Sequence, residues 1–281
     1  MQISPNNMQI FRELFKWREV DEISKETLHE LVSLLGIQLS LEKIQFNVSW
    51  SKIKKYEIMT IEGQKLFFLK RMWEFGSIKE IIGLELGRLF HPELTIDHYV
   101  FGTYKEGFFR KLNPYVMTSW VPGTPMDKKE AIKYAFELGR QYELGRWLCL
   151  YDCHPRHYFI QQDGTIRRID FGLAFSKFNK AYEGFADIWP KELFESTEFH
   201  RGIKLENQMI HMRFEVIEQD IWKLINRIAQ LQIDDFIDFE GSRFKAQLLQ
   251  YWKRENIIDE RNRLTSRYSF LHSPIQISSE K

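Results

Sequence analysis

The chain has 281 residues, 43% of them hydrophobic and 28% charged, enough apolar material to bury a full core and too much for disorder to dominate. Forty basic residues stand against 39 acidic ones, a formal charge of +1, so no global field draws the molecule to nucleic acid or to an anionic membrane. There is no run of about 18 apolar residues, the opening MQISPNNMQIFRELF has no apolar signal-type segment, and two cysteines are too few for a disulfide framework; we therefore expect a cytoplasmic protein with reduced thiols and no membrane span.

Residues 1–40 read as a helical extension, IFRELFKW and then ISKETLHELVSLLGI, with Ser24 as N-cap and Gly36 as the stop. From about residue 43 the apolar period shortens to two in KIQFNVSW, KYEIMTI and KLFFLKRM, the last two joined as a hairpin across Glu62 and Gly63. These open an antiparallel sheet. After Gly76, SIKEIIGLELGRLF reads as a helix that Ser77 and Glu80 begin as a capping box, which gives Glu80 a structural role. Glu85 shares a face with Ile81 and Leu89, so its carboxylate needs a cationic partner. Two more strand-like runs, DHYVFGTY and PYVMTSWV, lead to a turn at Pro122 and Gly123 and close a strand-rich lobe over 41–121.

The helical lobe, 122–281, begins with a second capping pair, Asp127 and Glu130. They open a long helix, KKEAIKYAFELGRQYELGRW, with an apolar stripe through Ile132, Ala135, Leu138 and Tyr142. The stretch YDCHPRHYFIQQDGTIRRIDFGLAF, residues 151–175, follows as a small hairpin of HYFI and IRRID that turns at Asp163-Gly164, with polar residues at its mouth. Two helical runs, ENQMIHMRFEVIEQDIWKLINRIAQL and EGSRFKAQLLQYWKREN, precede a frayed tail, SPIQISSEK.

Phosphoryl transfer from ATP needs a cation on the phosphates, carboxylate oxygens on Mg²⁺, and an aspartate to orient the attacking hydroxyl. The chain offers each in order. Lys70 ends LFFLK, Glu85 sits on the next helix, Asp152 heads the loop after the long helix, and Asp170 closes the hairpin. Asp152-Cys153-His154-Pro155-Arg156-His157 is similar to the D-x-H-P-x-N loop of the aminoglycoside and choline phosphotransferases, and more loosely to the D-R-H-x-x-N loop of phosphoinositide lipid kinases. Ile169-Asp170-Phe171-Gly172 resembles their metal-holding I-D-F-G, and YVMTSWVPGTPM resembles the last strand and hinge that hold adenine.

Over about residues 45–180 the chain thus resembles the protein-kinase-like superfamily. That resemblance implies an α+β bilobal fold, a small antiparallel-sheet lobe and a larger helical lobe with ATP between them. It implies Lys70 on the phosphates oriented by Glu85, Met117 and Trp120 at the nucleotide, Asp152 as the catalytic residue beside the acceptor hydroxyl, and Asp170 with His157 on the metal. The expected partners are ATP and a hydroxyl-bearing acceptor of unspecified class, with no nucleic acid.

Three departures stand out. His157 occupies the place of a metal-binding asparagine, and an imidazole suits Mn²⁺ better than Mg²⁺. NVSWSKIKKY, where a glycine-rich loop would cover the phosphates, has no glycine, leaving Lys52, Lys54 and Lys55 to substitute charge. No A-P-E triplet follows Asp170. Two further readings stay open: an inactive nucleotide-binding pseudokinase or scaffold, and an AMP transferase on the same fold.

The same residues admit plainer roles. Lys70 suits an exposed strand end, Glu85 a local pair with Arg88, Asp152 and Asp170 turns, and His157 a satisfied hydrogen bond. His154, in the resembling families, braces the loop. Cys149, Cys153, His154 and His157 supply zinc donors, but all fall within nine residues rather than in two separated pairs. Arg167-Arg168 and Lys177/Lys180 read as a solvated face.

Overall fold

The computed structural model describes residues 2–3, 5–20, 24–34, 45–48, 55–59, 65–71, 78–105, 111–172, 174–175, 178, 185, 188–234 and 239–255. The first forty residues supply more than the expected helices: β1 (Gln2–Ile3), α1 (Pro5–Leu14), β2 (Arg18–Glu19) and α2 (Lys25–Leu34). Ser24 caps α2 as expected, its Oγ accepting the Thr27 N–H at 3.1 Å, a contact worth about 1 kcal/mol. The expected turn and stop residues Gly36, Glu62, Gly63, Gly76 and Ser77 lie outside the described residues.

The period-two runs become β3 (Gln45–Val48), β4 (Lys55–Met59) and β5 (Lys65–Arg71), followed by α3 (Ile78–Phe90), β6 (His98–Lys105) and β7 (Lys111–Ser119). They form one six-stranded sheet in the order β2-β6-β7-β5-β4-β3. Strand β2 runs parallel to β6 and every other pairing is antiparallel. The sheet is therefore mixed, where alternation alone indicated antiparallel. The reason lies in packing: Phe11, Phe15 and Trp17 form an edge-on aromatic group that joins the main core and draws the segment after α1 onto the open edge of β6. Arg18 and Glu19 stay exposed there and blunt that edge.

The second half holds β8 (Thr124–Pro125), α4 (Ala135–Trp147), β9 (Tyr158–Ile160), β10 (Ile166–Arg168), α5 (Lys191–Glu195), α6 (Thr197–Ile228), β11 (Gln232–Asp234), β12 (Phe239–Glu240) and α7 (Gly241–Arg254). The Asp127–Glu130 capping box forms, but it opens a single 3₁₀ turn at Lys128–Glu130. Because the chain turns again before α4 starts, Ile132 falls out of helical phase and is 47% exposed, unlike the rest of its expected stripe. Helices α4 and α6 cross with backbone against backbone. A Cβ on Gly139 would stand 2.1 Å from the Phe199 carbonyl oxygen, and one on Gly202 2.0 Å from that of Phe136, so only glycine allows this crossing.

Trp147, Phe90 and Trp252 meet at edge-on or tilted angles, and the surrounding cluster is continuous from α1 and α3 through α4 to α7. A second cluster, around Tyr158, Phe185 and Trp189, supports the β9–β10 hairpin from below. The architecture is α+β, with a mixed sheet and several helices. No helix among the described residues is long and apolar enough to cross a membrane.

Candidate active site

A cleft of about 790 Å³, its open mouth included, lies where β5, β7 and the first turn of α3 meet the β9–β10 hairpin. Strand alternation decides which side chains enter it. Phe67 and Leu69 are buried in the sheet, so Phe68 and Lys70 turn to the cleft. On β7, Val116 and Thr118 line the cleft. Met117, expected at the nucleotide, is fully buried and lines a different cavity on the other side of the strand. Trp120 does line the cleft, with Lys65 Nζ 4.3 Å from its ring centroid. Phe159 and Ile169 close the opposite wall.

The polar end of the cleft is an ion cluster. Lys70 Nζ donates to Glu80 Oε1 at 2.9 Å and stands 2.6 Å from Oε2 and 3.3 Å from Asp170 Oδ1. Asp170 is held by a tight local turn. Its φ is +64°, a left-handed conformation that aspartate tolerates better than most residues, and Oδ1 accepts the Gly172 N–H at 3.1 Å. A Cβ on Gly172 would lie 3.0 Å from that oxygen and 3.2 Å from Glu80 Oε2, so the third residue of I-D-F-G keeps room for the cluster. Burial opposes charge on both partners of the Lys70–Asp170 pair. For Lys70 the carboxylates of Glu80 and Asp170 outweigh it and hold the ammonium above the ordinary lysine range. For Asp170 the Lys70 charge leads the opposing influences and holds the carboxyl well below the carboxylate range.

Glu85 does not take the role expected of it. It pairs with His98 Nε2 at 3.0 Å and with Arg88 at 2.7 Å. Five residues turn a helix by about 140° relative to Glu80, which puts Glu85 on another side of α3. Glu80 is the lysine's partner instead. The signal for it in the sequence is position, since Glu80 lies in the first turn of the helix that follows β5.

The loop before the hairpin carries Asp152 and His157. Asp152 is a third exposed, and His157 Nδ1, buried and without a hydrogen-bond partner among the described residues, is 3.8 Å from Asp152 Oδ2. Burial pushes the His157 ring below the ordinary histidine range, against the pull of Asp170 and Asp152. The loop is shaped by His154, whose Nδ1 accepts the Arg156 N–H at 3.3 Å, and by Ile169 N–H donating to the His157 carbonyl at 2.8 Å. The hairpin turns at Asp163-Gly164 as expected, with Asp163 Oδ1 accepting the Thr165 N–H at 2.9 Å and Gly164 at φ +82°.

Arg168 overturns the reading of Arg167-Arg168 as a solvated face: it is 1% exposed. Its guanidinium donates to the Asp152 carbonyl, to Tyr158 Oη at 2.7 Å and to Cys153 Sγ at 3.5 Å. A period-two strand whose alternate residues are buried carries Arg168 inward together with Ile166. Arg167 is exposed, and Lys177 and Lys180 lie outside the described residues. Among the described residues no group of three or more His, Cys, Asp or Glu is placed to hold a metal ion on its own. Cys149 is buried, and burial pushes its thiol up to about 12. Residues 49–54, with Lys52 and Lys54, lie outside the described residues, and Lys55 is the first residue of β4.

No family model matches the chain, and no curated protein matches it significantly.

Proposed function

We propose that this chain is a protein-kinase-like phosphotransferase that binds ATP in the cleft and transfers its γ-phosphoryl group to a hydroxyl. The observation that carries the reading is the Lys70–Glu80–Asp170 cluster at the closed end of an apolar cleft. A strand lysine fixed by a helix carboxylate, next to a carboxylate on a tight turn, is what binding a nucleoside triphosphate with its metal requires. Phe68, Val116 and Ile169 give apolar faces for the base, Lys70 a cation for the phosphates, and Asp152, partly exposed at the mouth of the loop, orients or deprotonates the acceptor hydroxyl.

A divalent cation fits the donors present. Asp170 offers a carboxylate, and the buried, unpartnered Nδ1 of His157 is the kind of atom a metal would satisfy. With two protein donors the remaining ligands come from phosphate oxygens and water. When bound, the ion neutralises phosphate charge. The nitrogen donor favours Mn²⁺ over Mg²⁺ relative to an all-oxygen site.

The test follows label from ATP into product. With γ-³²P-ATP and with α-³²P-ATP, in separate reactions with a panel of hydroxyl compounds and protein extract, label should pass from the γ position only. Asp152→Asn should abolish transfer and leave nucleotide binding intact. Transfer of α label would mean an AMP transferase. Nucleotide binding with neither label transferred would favour the pseudokinase reading, which His157 in place of asparagine supports.

A further inference from the structure

A second cavity, of about 640 Å³ with its open mouth included, opens away from the cleft, between the turn after α1, the middle of α3, and β6. Its floor is apolar and includes Phe15, Phe101 and Met117, all buried. Its rim is cationic, from Lys16, Arg18 and Arg88. Among the described lining residues the one carboxylate, Glu85, is already matched by Arg88 at 2.7 Å and His98 at 3.0 Å, so it does not repel a second anion. Lys16 and Arg18 are exposed and make no ion pair among the described residues.

Three details make this more than a surface dent. Two buried polar atoms of its lining, His98 Nδ1 and Arg88 Nε, have no hydrogen-bond partner among the described residues, and His98 is only 1% exposed. Lys16 adopts φ +49°, a left-handed conformation that costs a non-glycine residue on the order of 1 kcal/mol. Glycine or asparagine would turn there at less cost, yet the position carries a cation at the rim. Like a ligand pocket, the cavity combines apolar walls with a few polar groups.

We propose that this cavity binds a small amphipathic anion, an aromatic or aliphatic body bearing a phosphate or a carboxylate. The body lies over the half-buried Tyr99, with Phe15, Phe101 and Met117 packed beneath it, and the anion meets Lys16 and Arg18 through charge-assisted hydrogen bonds. The site is independent of the nucleotide reading, since Met117 faces the opposite side of β7 from Val116 and Thr118.

The experiment is calorimetric titration of the full chain with phenyl phosphate and with benzoate, each compared with inorganic phosphate and with phenol. Titration runs in parallel with ¹³C-methyl methionine spectra, in which Met117 is assigned through Met117→Leu. The expected result is saturable binding of phenyl phosphate or benzoate that neither fragment reproduces, with movement of the Met117 methyl signal. The preferred ligand of the two identifies the anionic group. Binding should weaken at least about tenfold in Arg18→Glu and in Lys16→Gly. Lys16→Gly removes the cation while relieving the left-handed backbone, and an unchanged thermal unfolding midpoint in that variant separates lost charge from lost folding. Asp170→Asn should bind the probe as the wild type does, whether or not the cleft binds ATP. Absence of saturable binding of both probes, binding unchanged in Lys16→Gly and Arg18→Glu, or binding that leaves the Met117 signal unmoved would overturn the proposal.

Discussion

Lys70 and Glu80 are joined by two short contacts, Nζ to Oε2 at 2.6 Å and Nζ to Oε1 at 2.9 Å, and this pair ties the end of β5 to the first turn of α3. Removing the ammonium takes from the buried Glu80 the cation that meets both its carboxylate oxygens. We expect Lys70→Met to lose about 3 kcal/mol of stability and ATP affinity with it, and Glu80→Gln to weaken ATP binding as well. Urea denaturation together with titration of ATP checks both. A Glu80→Gln protein that binds ATP as well as the wild type would remove Glu80 from the site.

Glu85 should behave oppositely, because its partners are His98 and Arg88. Burial works against its charge, but those two partners outweigh it and hold the carboxyl below the ordinary glutamate range. A depressed folded-state pKa contributes stability that is present above the unfolded-state value and is lost as pH falls through the folded one. The stability gap between wild type and Glu85→Gln should therefore be widest at neutral pH, about 1–2 kcal/mol, and close as the pH is lowered below the glutamate range. Urea titrations across that window measure it. ATP affinity should not change, and a gap independent of pH would contradict the assignment.

Gly172→Ala places a methyl group 3.0 Å from Asp170 Oδ1 and 3.2 Å from Glu80 Oε2. Both carboxylates must shift by a few tenths of an ångström to admit it. We expect a folded protein with weaker metal-dependent ATP binding, measured by calorimetry. Unchanged affinity would mean the spacing of the two carboxylates is not critical.

Arg168 is a fully buried cation bound to a carbonyl, a phenol and a thiol rather than to a carboxylate. Arg168→Met should cost about 3 kcal/mol by stranding those acceptors. Arg168→Lys should recover little, since one ammonium cannot reproduce the fork that reaches Asp152, Tyr158 and Cys153 together. Thermal unfolding of the two variants decides this, and full rescue by lysine would show that charge alone matters.

What could be read from the sequence was local and periodic. Alternation in KLFFLKR and PYVMTSWV located β5 and β7, the turn chemistry of Asp163-Gly164 located the hairpin, and the order of Lys70, Asp152 and Asp170 located the candidate cleft. Information carried by side-chain direction was lost. Met117 and Trp120 are three residues apart, but period two sends Met117 to the far face, and strand boundaries uncertain by one residue erase that distinction. For Glu80 the capping motif with Ser77 is a sufficient local explanation in the sequence, whereas Lys70, which it pairs with, lies ten residues back on another element. Arg168 looked solvated because a buried arginine with no carboxylate partner has no sequence signature. The parallel edge strand β2 depends on packing of Phe11, Phe15 and Trp17, which no two-residue stretch announces.

The central claim is that Asp170, with Lys70, forms a metal-dependent nucleotide site. Its most direct test is calorimetric titration of ATP into the wild type and Asp170→Asn, each with Mg²⁺, with Mn²⁺ and with chelator; asparagine is chosen because it accepts the left-handed backbone that Asp170 adopts. The account expects metal-dependent binding to the wild type, stronger with Mn²⁺ than with Mg²⁺, and loss of that dependence in Asp170→Asn. Absence of ATP binding with either metal, or identical metal-dependent binding in the variant, would contradict it.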